Sequence, residues 1–302
     1  MPDSGRNGNM GHVLLAREYK LLLKPSEFKA NPTLVSANAF WASRIERIVS
    51  TIDNHPESFK KVVHRAIRFW DTADCVLSRH DLILRTREEM DENFNPTGKL
   101  ETTLKLRMPD QFVVASTSLV DDGKTDKNIE TKFEEDIGPL EVARSKATEG
   151  ARVVVPVKRS TRNRFSLSTT IEGDPSQRPA RLADVFEKFP GAKVLIGDVA
   201  TNEDLISGSV SHEYAFKKAE AKFSDSVDGI FALSLWCFDK PDANPSVAEL
   251  SYTCETVNGN MPGKAARQAY DLFIKLQNQL ADIVDPENTS KTALALPKGC
   301  AS

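Results

Sequence analysis

The sequence lacks the segments that mark membrane, secreted and metal-finger proteins. No stretch approaches eighteen consecutive apolar residues, and the N-terminal segment has no apolar core before a cleavage site, so we expect neither a membrane span nor a secretory signal. The four cysteines, Cys75, Cys237, Cys254 and Cys300, are widely scattered, without the paired spacing of zinc or redox sites. We therefore expect reduced cysteines and a cytoplasmic location.

Excess charge of either sign is also missing. The formal net charge is −3 over 302 residues, which gives no global attraction to nucleic acid. The five histidines share no spacing that suggests a common site. One basic segment carries Arg152, Lys158, Arg159, Arg162 and Arg164. Its only aromatic neighbour is Phe165, so it is a weak signal for nucleic-acid binding, and we expect no such partner.

The periodicity of apolar residues predicts an α+β chain. Alternation from His12 to Lys24 predicts a first strand, and short strands separated by turn residues follow up to about residue 256. Apolar residues three and four positions apart predict helices over Asn38 to Ile52, Ala180 to Phe189 and Lys264 to Val284. Many short strands of this kind are typical of a closed or sandwiched antiparallel sheet.

No internal repeat, low-complexity block or long linker divides the chain. Its 40% content of hydrophobic residues is ample for one core. We therefore expect a disordered leader over residues 1–11, a single domain over residues 12–286 and a loosely ordered C-terminal tail over residues 287–302.

Charged residues recur two positions apart on several predicted strands, opposite a mostly apolar face. A solvent-exposed sheet face would explain the alternation of charged and apolar residues in any one of these strands. The recurrence of Arg-x-Arg and Lys-x-Arg is less ordinary, because like charges on one face repel unless an anion offsets them. The sets are Glu18 with Lys20, Arg85 with Arg87, Glu101 with Lys105 and Arg107, Glu130 with Lys132 and Glu134, and Arg162 with Arg164, while Glu249 lies opposite Leu250 and Tyr252.

A closed sheet of about eight strands has an interior that can hold one small ligand. If the charged faces point inward, Arg side chains can pair bidentately with phosphate oxygens, and Lys supplies compact positive charge beside them. Carboxylates in the same space repel phosphate unless they hold a hard cation such as Mg²⁺ or Mn²⁺. The pattern therefore favours a small metal-bound triphosphate as the partner.

Several short motifs stand in a fixed order along nearly the whole chain. They are Glu18-Tyr-Lys20; Arg68-Phe-Trp-Asp71-Thr72, followed by Leu77 and Leu84-Arg85-Thr-Arg87; Thr103-Leu104-Lys105-Leu106-Arg107; Lys132-Phe-Glu134; Arg162-Asn-Arg164; and Ala248-Glu249-Leu-Ser251. In this order they resemble the motifs of the CYTH, or triphosphate tunnel metalloenzyme, superfamily, and in particular a divergent CYTH domain of the bacterial type.

The resemblance implies a tunnel of eight antiparallel strands with flanking helices. It also implies metal-dependent hydrolysis of inorganic triphosphate, thiamine triphosphate or a nucleoside triphosphate, or cyclisation of ATP as in class IV adenylyl cyclases. By the matching positions, the metal ligands are Glu18, Glu134 and Glu249, and Glu134 and Glu249 are also the catalytic carboxylates. The phosphate-binding residues are Lys20, Arg85, Arg87, Lys105, Arg107, Arg162 and Arg164.

Two positions depart from the family pattern and leave alternatives open. Ala16 stands where the opening motif has its first Glu, and Ser251 stands where the late strand often has another. Fewer carboxylates weaken metal binding unless other side chains compensate; the candidates are Glu130, Glu134 and Glu255. The leading hypothesis is a metal-dependent triphosphatase. The alternatives are a noncatalytic sensor or binder of phosphorylated ligands, a class IV-like adenylyl cyclase, and an RNA-binding barrel.

Overall fold

The computed structural model describes residues 11–120, 127–143, 152–154, 161–199, 201–238, 240–285 and 291–300. Strands dominate these residues. They are β1 (Ala16–Leu23), β2 (Lys61–Asp71), β3 (Leu82–Met90), β4 (Pro96–Met108), β5 (Ile129–Pro139), β6 (Glu141–Ala143), β7 (Arg152–Val154), β8 (Thr161–Gly173), β9 (Ile206–Ser207), β10 (Ser211–Ser224), β11 (Val227–Phe238) and β12 (Val247–Glu255).

The helices are short except for one near the C-terminus. They are α1 (Leu34–Phe40), which continues through a π-helical turn (Trp41–Ile45) into α2 (Glu46–Val49), then α3 (Gln111–Ser116), α4 (Leu182–Lys188), α5 (Pro190–Ile196), α6 (Gly263–Gln279) and α7 (Lys291–Ala295), with 3₁₀ turns at Pro25–Glu27, Ser78–His80 and Pro175–Gln177. The side chain of Thr33 accepts a hydrogen bond from the backbone N–H of Ser36 and so fixes the start of α1.

The described strands close into a ring of nine. Hydrogen bonds run in the order β10, β11, β12, β1, β5, β8, β4, β3, β2 and back to β10. The closing pair joins Ser211–Lys217 of β10 to Lys61–Ile67 of β2 in antiparallel register. β9 pairs with the end of β2, and β6 and β7 form a separate antiparallel pair. The expected α+β fold with a closed strand tunnel and flanking helices is confirmed.

The ring differs from the expectation in its number of strands and in one pairing. Among the described pairs, only β1 and β5 run parallel, from Ala16 beside Glu134 to Tyr19 beside Ile137. Neighbours such as β10 and β11 are joined by a short turn that reverses the chain, so they must be antiparallel. Three strands and several helices separate β1 from β5, and over that length the chain can return in either direction.

Two large apolar cores lie outside the ring, between the sheet and the helices. Trp41 of the π-helical turn and Phe273 of α6 are buried against Tyr19, Phe231 and Tyr252 on one side of the ring. Burial of aromatic rings supplies much of the stabilisation here. On another side, α4 and α5 pack on outward-facing leucines of β3, β4 and β8: Leu82, Leu84, Leu104, Leu106 and Leu167. Because the outward positions take the apolar residues, period two turns the charged positions inward.

The predicted helices are present with shifted ends. Instead of Asn38 to Ile52, the first helical run spans residues 34–49. Instead of ending at Val284, α6 ends at Gln279. The prediction for residues 180–189 corresponds to α4. Periodicity marks the apolar face of a helix but not its ends, which depend on caps such as Thr33.

Two expectations about the C-terminal part are wrong. Residues 291–300 are not loosely ordered: they include α7 and pack against the ring. Cys75 and Cys300 are not reduced, because they form a disulfide, with Cα atoms 5.1 Å apart; Cys237 and Cys254 are free and buried. The spacing of 225 residues between Cys75 and Cys300 gives no sign of pairing in the sequence.

Some expectations concern residues beyond those that are described. These are residues 1–10 of the leader, residues 287–290, 301 and 302 of the tail, and most of the basic segment from Arg152 to Arg159. Within the described ranges, no helix is long and apolar enough to cross a membrane.

Candidate functional site

The ring encloses a cavity of about 1410 Å³ that is lined mainly by charged side chains. All ten predicted site residues line it: Glu18, Lys20, Arg85, Arg87, Lys105, Arg107, Glu134, Arg162, Arg164 and Glu249. Among the described lining residues, Lys and Arg outnumber Asp and Glu by twelve to eight. The wall is therefore cationic even though the whole chain is slightly acidic, which suits an anionic ligand.

Asp136 lies at the centre of the most closely connected group of charges. Its Oδ1 lies 2.6 Å from Nζ of Lys20, and its Oδ2 lies 3.2 Å from Nζ of Lys105 and 3.1 Å from Nε of Arg107. The sheet brings these side chains together. Glu18 of β1 lies directly beside Asp136 of β5, and Lys20 is two positions further along the same face of β1. Lys105 lies on β4, which β8 separates from β5. Only 1% of the Asp136 side chain is exposed, so these cations satisfy a carboxylate that water does not reach.

The surroundings shift the pKa values within this group in opposite directions. Burial opposes ionisation of Asp136, but Lys105, Lys20 and Arg107 hold its pKa well below the usual range. Burial also favours neutral Lys20, yet Asp136 and Glu18 raise its pKa. For Lys105 burial prevails, helped by the positive charges of Lys20 and Arg107, and its pKa falls to about 8. Lys105 is thus a cation that can lose its proton close to neutral pH.

A second group of charges surrounds Glu213 of β10. One carboxylate oxygen accepts a hydrogen bond of 3.0 Å from Nε1 of Trp236, and the other lies 3.3 Å from Nη1 of Arg65. Burial opposes its ionisation, but Arg87 and Arg65 lower the pKa of Glu213 to about 2. Burial and the charge of Arg65 lower the pKa of Lys217 to about 8. This group therefore keeps a fixed negative charge among several cations.

Arg85 and Arg87 project into the cavity from β3, between the two groups. Burial, together with the neighbouring positive charge of Arg87, lowers the pKa of Arg85 to about 9. The Nε atom of each side chain is buried without a hydrogen-bond partner. Arg87 lies 3.9 Å from Glu101, whereas no described carboxylate is within ion-pair distance of Arg85. Buried donors without partners are costly, and an anion in the cavity would satisfy them.

The predicted metal ligands are held differently from one another. Glu18 lies 2.8 Å from Nζ of Lys20, and Glu249 lies 2.5 Å from Nζ of Lys291. Burial raises the pKa of Glu134, and the negative charge of Glu18 adds to the shift. A buried carboxylate whose pKa is raised by a neighbouring carboxylate is a suitable environment for a cation.

The described residues contain no group of three His, Cys, Asp or Glu side chains placed to hold a metal ion. Mg²⁺ commonly binds through one or two carboxylates and completes its coordination with water and substrate phosphates. Glu18 and Glu134 fit that mode of binding. A cage made only of protein ligands, with Glu249 as third member, is not formed.

The remaining candidate residues lie at the margins of the site. Arg162 and Arg164 line the cavity from β8, and exposed Glu130 lies 3.0 Å from Lys132 at the rim. Glu255 is exposed at the end of β12 and does not line the cavity, so it is not placed to replace a missing carboxylate. Ala16 lies beside Glu134 and Ser251 beside Lys20 in the strand register.

Several lining or adjoining residues were not predicted from the sequence: Arg65, Asp136, Glu213, Lys217 and Lys291. Asp136 had a readable signal, because it lies two positions beyond Glu134 on the same strand face. Lys217 lies next to a register shift between Lys217 and Ala219 of β10, which interrupts simple alternation. Lys291 comes from α7, where no strand pattern applies.

Comparison with known proteins gives structural neighbours only. No family model and no curated protein sequence matches the chain. The similar solved structures include the candidate adenylyl cyclase HpAC1 of Hippeastrum, described as having a dominant triphosphatase activity (14% identity, 93% of this chain and 94% of that chain, TM-score 0.44). They also include a candidate adenylate cyclase of Bacillus halodurans (10% identity, 93% of this chain and 96% of that chain, TM-score 0.36) and the PH1819 protein of Pyrococcus horikoshii OT3 (11% identity, 89% and 92%, TM-score 0.30).

All three have TM-scores below 0.5 and share at most 14% of their residues with this chain. At such identities, what the chain does has to be inferred from its own tunnel residues.

Proposed function

We propose that this chain binds a small triphosphate-containing molecule inside its strand tunnel, together with Mg²⁺ or Mn²⁺, and hydrolyses a phosphoric anhydride bond. The observation that carries the proposal is Arg85, a half-buried side chain that faces the cavity beside Arg87 and whose buried Nε donor has no hydrogen-bond partner. Arginine donors of this kind pair with phosphate oxygens in a planar fork. Arg85 and the cations around Asp136 line the same cavity, so we expect one triphosphate to contact both.

Each group of residues has a separate part in the proposed reaction. Arg85, Arg87, Lys105 and Arg107 bind and orient the phosphate chain, which places one phosphorus for in-line attack by water. Glu18 and Glu134 would hold the divalent cation, and its charge would stabilise the negative charge that develops on phosphate oxygens. The raised pKa of Glu134 makes it the stronger base of the two, so Glu134 accepts a proton from the attacking water.

A specific observation also favours a noncatalytic binder of phosphorylated ligands as a second candidate. Glu18 and Glu249 are each paired with a lysine in the structure, so they are already neutralised in the absence of a metal. If these pairs persist with ligand bound, the tunnel holds an anion but has too few free carboxylates for metal-assisted hydrolysis. Tight binding without turnover under either cation would identify this candidate.

Phosphorus NMR and titration calorimetry with tripolyphosphate, thiamine triphosphate and ATP test the proposal, each with Mg²⁺ or Mn²⁺. Arg85→Gln is the test variant, and Arg68→Gln is the matched control, because Arg68 lies on the neighbouring strand β2 and does not line the cavity. Losing hydrogen bonds to a charged group costs about 1.5 to 3 kcal/mol, so Arg85→Gln should weaken binding about ten- to one-hundredfold. Equal affinity in both variants would contradict the proposal.

A further inference from the structure

The C-terminal segment, residues 291–300, fills one end of the tunnel. Ala295 is buried in an apolar cluster with inward-facing residues of the strands, and Leu296 packs against it; the strand members are Leu22, Ile67, Phe69, Ile83, Trp236, Phe238 and Val247. Gly208 allows the close approach, since a Cβ atom there would lie 2.0 Å from the carbonyl oxygen of Ala295. The charged part of the cavity therefore begins where this apolar end stops.

Lys291 projects from the same segment into the charged part of the cavity. Its Nζ lies 2.5 Å from Oε1 of Glu249 and 5.0 Å from the centre of the Trp236 ring. The Glu249 side chain is 8% exposed and that of Lys291 is 25% exposed. A partly buried ammonium at this distance occupies the coordination space that a divalent cation would need at Glu249.

A disulfide fixes the far end of the segment. Cys300 is buried and bonded to Cys75, which is half-buried in the turn after β2. Lys291 lies nine positions before Cys300, so the disulfide limits how far the segment can leave the tunnel. The tether keeps the local concentration of the Lys291 ammonium around Glu249 high.

We propose that the Cys75–Cys300 disulfide is a redox latch that holds Lys291 on Glu249 and keeps a divalent cation from that carboxylate until a dithiol reductant opens it. One thiolate of the dithiol attacks Sγ of Cys75, the more exposed partner, and Cys300 leaves as a thiolate that takes a proton. The second thiolate then displaces Cys75. Two electrons and two protons pass to the protein, and the reductant becomes its disulfide.

This inference rests on the proposed metal binding at Glu18 and Glu134 and adds Glu249 as a further ligand, so its test separates movement of the segment from metal binding. Hydrogen exchange of peptides within residues 291–300 measures the movement. The concentration of free Mn²⁺, followed by electron paramagnetic resonance, measures binding to the full chain without any substrate. Both are measured for the oxidised chain, the chain reduced with dithiothreitol, Cys75→Ser/Cys300→Ser, Lys291→Met and the exposed-lysine control Lys264→Met.

Reduction, the double serine variant and Lys291→Met should each strengthen Mn²⁺ binding about tenfold, because each raises the fraction of chains with an accessible Glu249. Lys264→Met should bind like the wild type. Hydrogen exchange within residues 291–300 should accelerate when the chain is reduced, and also in the double serine variant. Dithiothreitol should not accelerate exchange further in that variant. This result would exclude a contribution from reduction at Cys237 or Cys254.

Unchanged exchange on reduction would overturn the latch. Faster exchange with unchanged Mn²⁺ affinity in every form would overturn the competition at Glu249. If no form binds Mn²⁺ while tripolyphosphate still binds, the metal part of the proposed function fails and the exchange result alone decides the latch.

Discussion

Replacing Asp136 with asparagine removes the carboxylate that Lys20, Lys105 and Arg107 share. The three ion-pair distances are 2.6, 3.2 and 3.1 Å, and the carboxylate is 1% exposed. Removing one partner from a buried group of charges costs about 3 to 5 kcal/mol, since the remaining cations stay buried without compensation. We expect Asp136→Asn to lower the free energy of unfolding by about that amount. Glu130→Gln, on the same face of β5 but exposed, should change it by less than about 0.5 kcal/mol.

The pH dependence of this difference has a definite sign. The pKa of Asp136 is depressed in the folded chain, while an unfolded Asp titrates near pH 3.9 or so. A depressed pKa stabilises the fold at every pH above the unfolded value, and the stabilisation is lost as pH falls through the folded value. The difference in the free energy of unfolding between wild type and Asp136→Asn should therefore be constant from about pH 5 to pH 7, and it should become smaller only in more acidic solution.

The same substitution should strengthen anion binding. It removes one negative charge from the cavity wall. At an effective dielectric constant of about 20, a unit charge about 8 Å from a phosphate contributes about 2 kcal/mol to the binding free energy. That energy corresponds to roughly thirtyfold in affinity. Urea unfolding with and without tripolyphosphate measures both effects. A stable Asp136→Asn with unchanged affinity would refute the assignment of Asp136 as the counter-ion of the phosphate-binding cations.

Three further predictions concern single side chains. Because the pKa of Lys105 is about 8, tripolyphosphate affinity should fall as pH rises from 7 to 9 or so, and calorimetry should find a smaller fall in Lys105→Met. Gly208→Ala should displace the carbonyl of Ala295, which accelerated hydrogen exchange of residues 291–300 would detect. Tyr252→Phe removes a buried hydrogen bond of 2.6 Å to a backbone carbonyl of α6, so chemical denaturation should show a loss of about 1 to 2 kcal/mol.

The tunnel could be predicted from the sequence because successive side chains of a strand point to opposite faces of the sheet, so a charged residue next to an apolar one lies on the other face. Leu84 and Leu106 are buried against helices outside the ring, and this forces Arg85 and Lys105 inward. The count of strands and the parallel pairing of β1 with β5 could not be read in this way. Neighbours in the ring depend on long-range hydrogen bonding, which leaves no local pattern.

The candidate site was predicted unevenly for a physical reason. Residues in strand motifs, such as Arg85 and Glu134, were found because their neighbours fix which face they occupy. Lys291 was missed because a short C-terminal helix delivers it to the tunnel, and Cys75 with Cys300 because folding alone brings together residues 225 positions apart. A side chain that reaches a site through tertiary packing has no sequence period to reveal it.

The arrangement of charges explains how a slightly acidic chain can offer a site for a polyanion. Two acidic residues at the centre of the described tunnel have a cationic partner: Asp136 has Lys20, and Glu249 has Lys291. Glu134 instead has a second carboxylate, Glu18, beside it. Net repulsion is therefore concentrated at Glu134, whose pKa is raised with Glu18 beside it, and a divalent cation there would remove it. Net attraction is concentrated at Arg85, which has no carboxylate within ion-pair distance among the described residues. A metal-bound triphosphate is the ligand that satisfies both places at once, because its cation and its phosphate oxygens carry the two charges that the tunnel lacks.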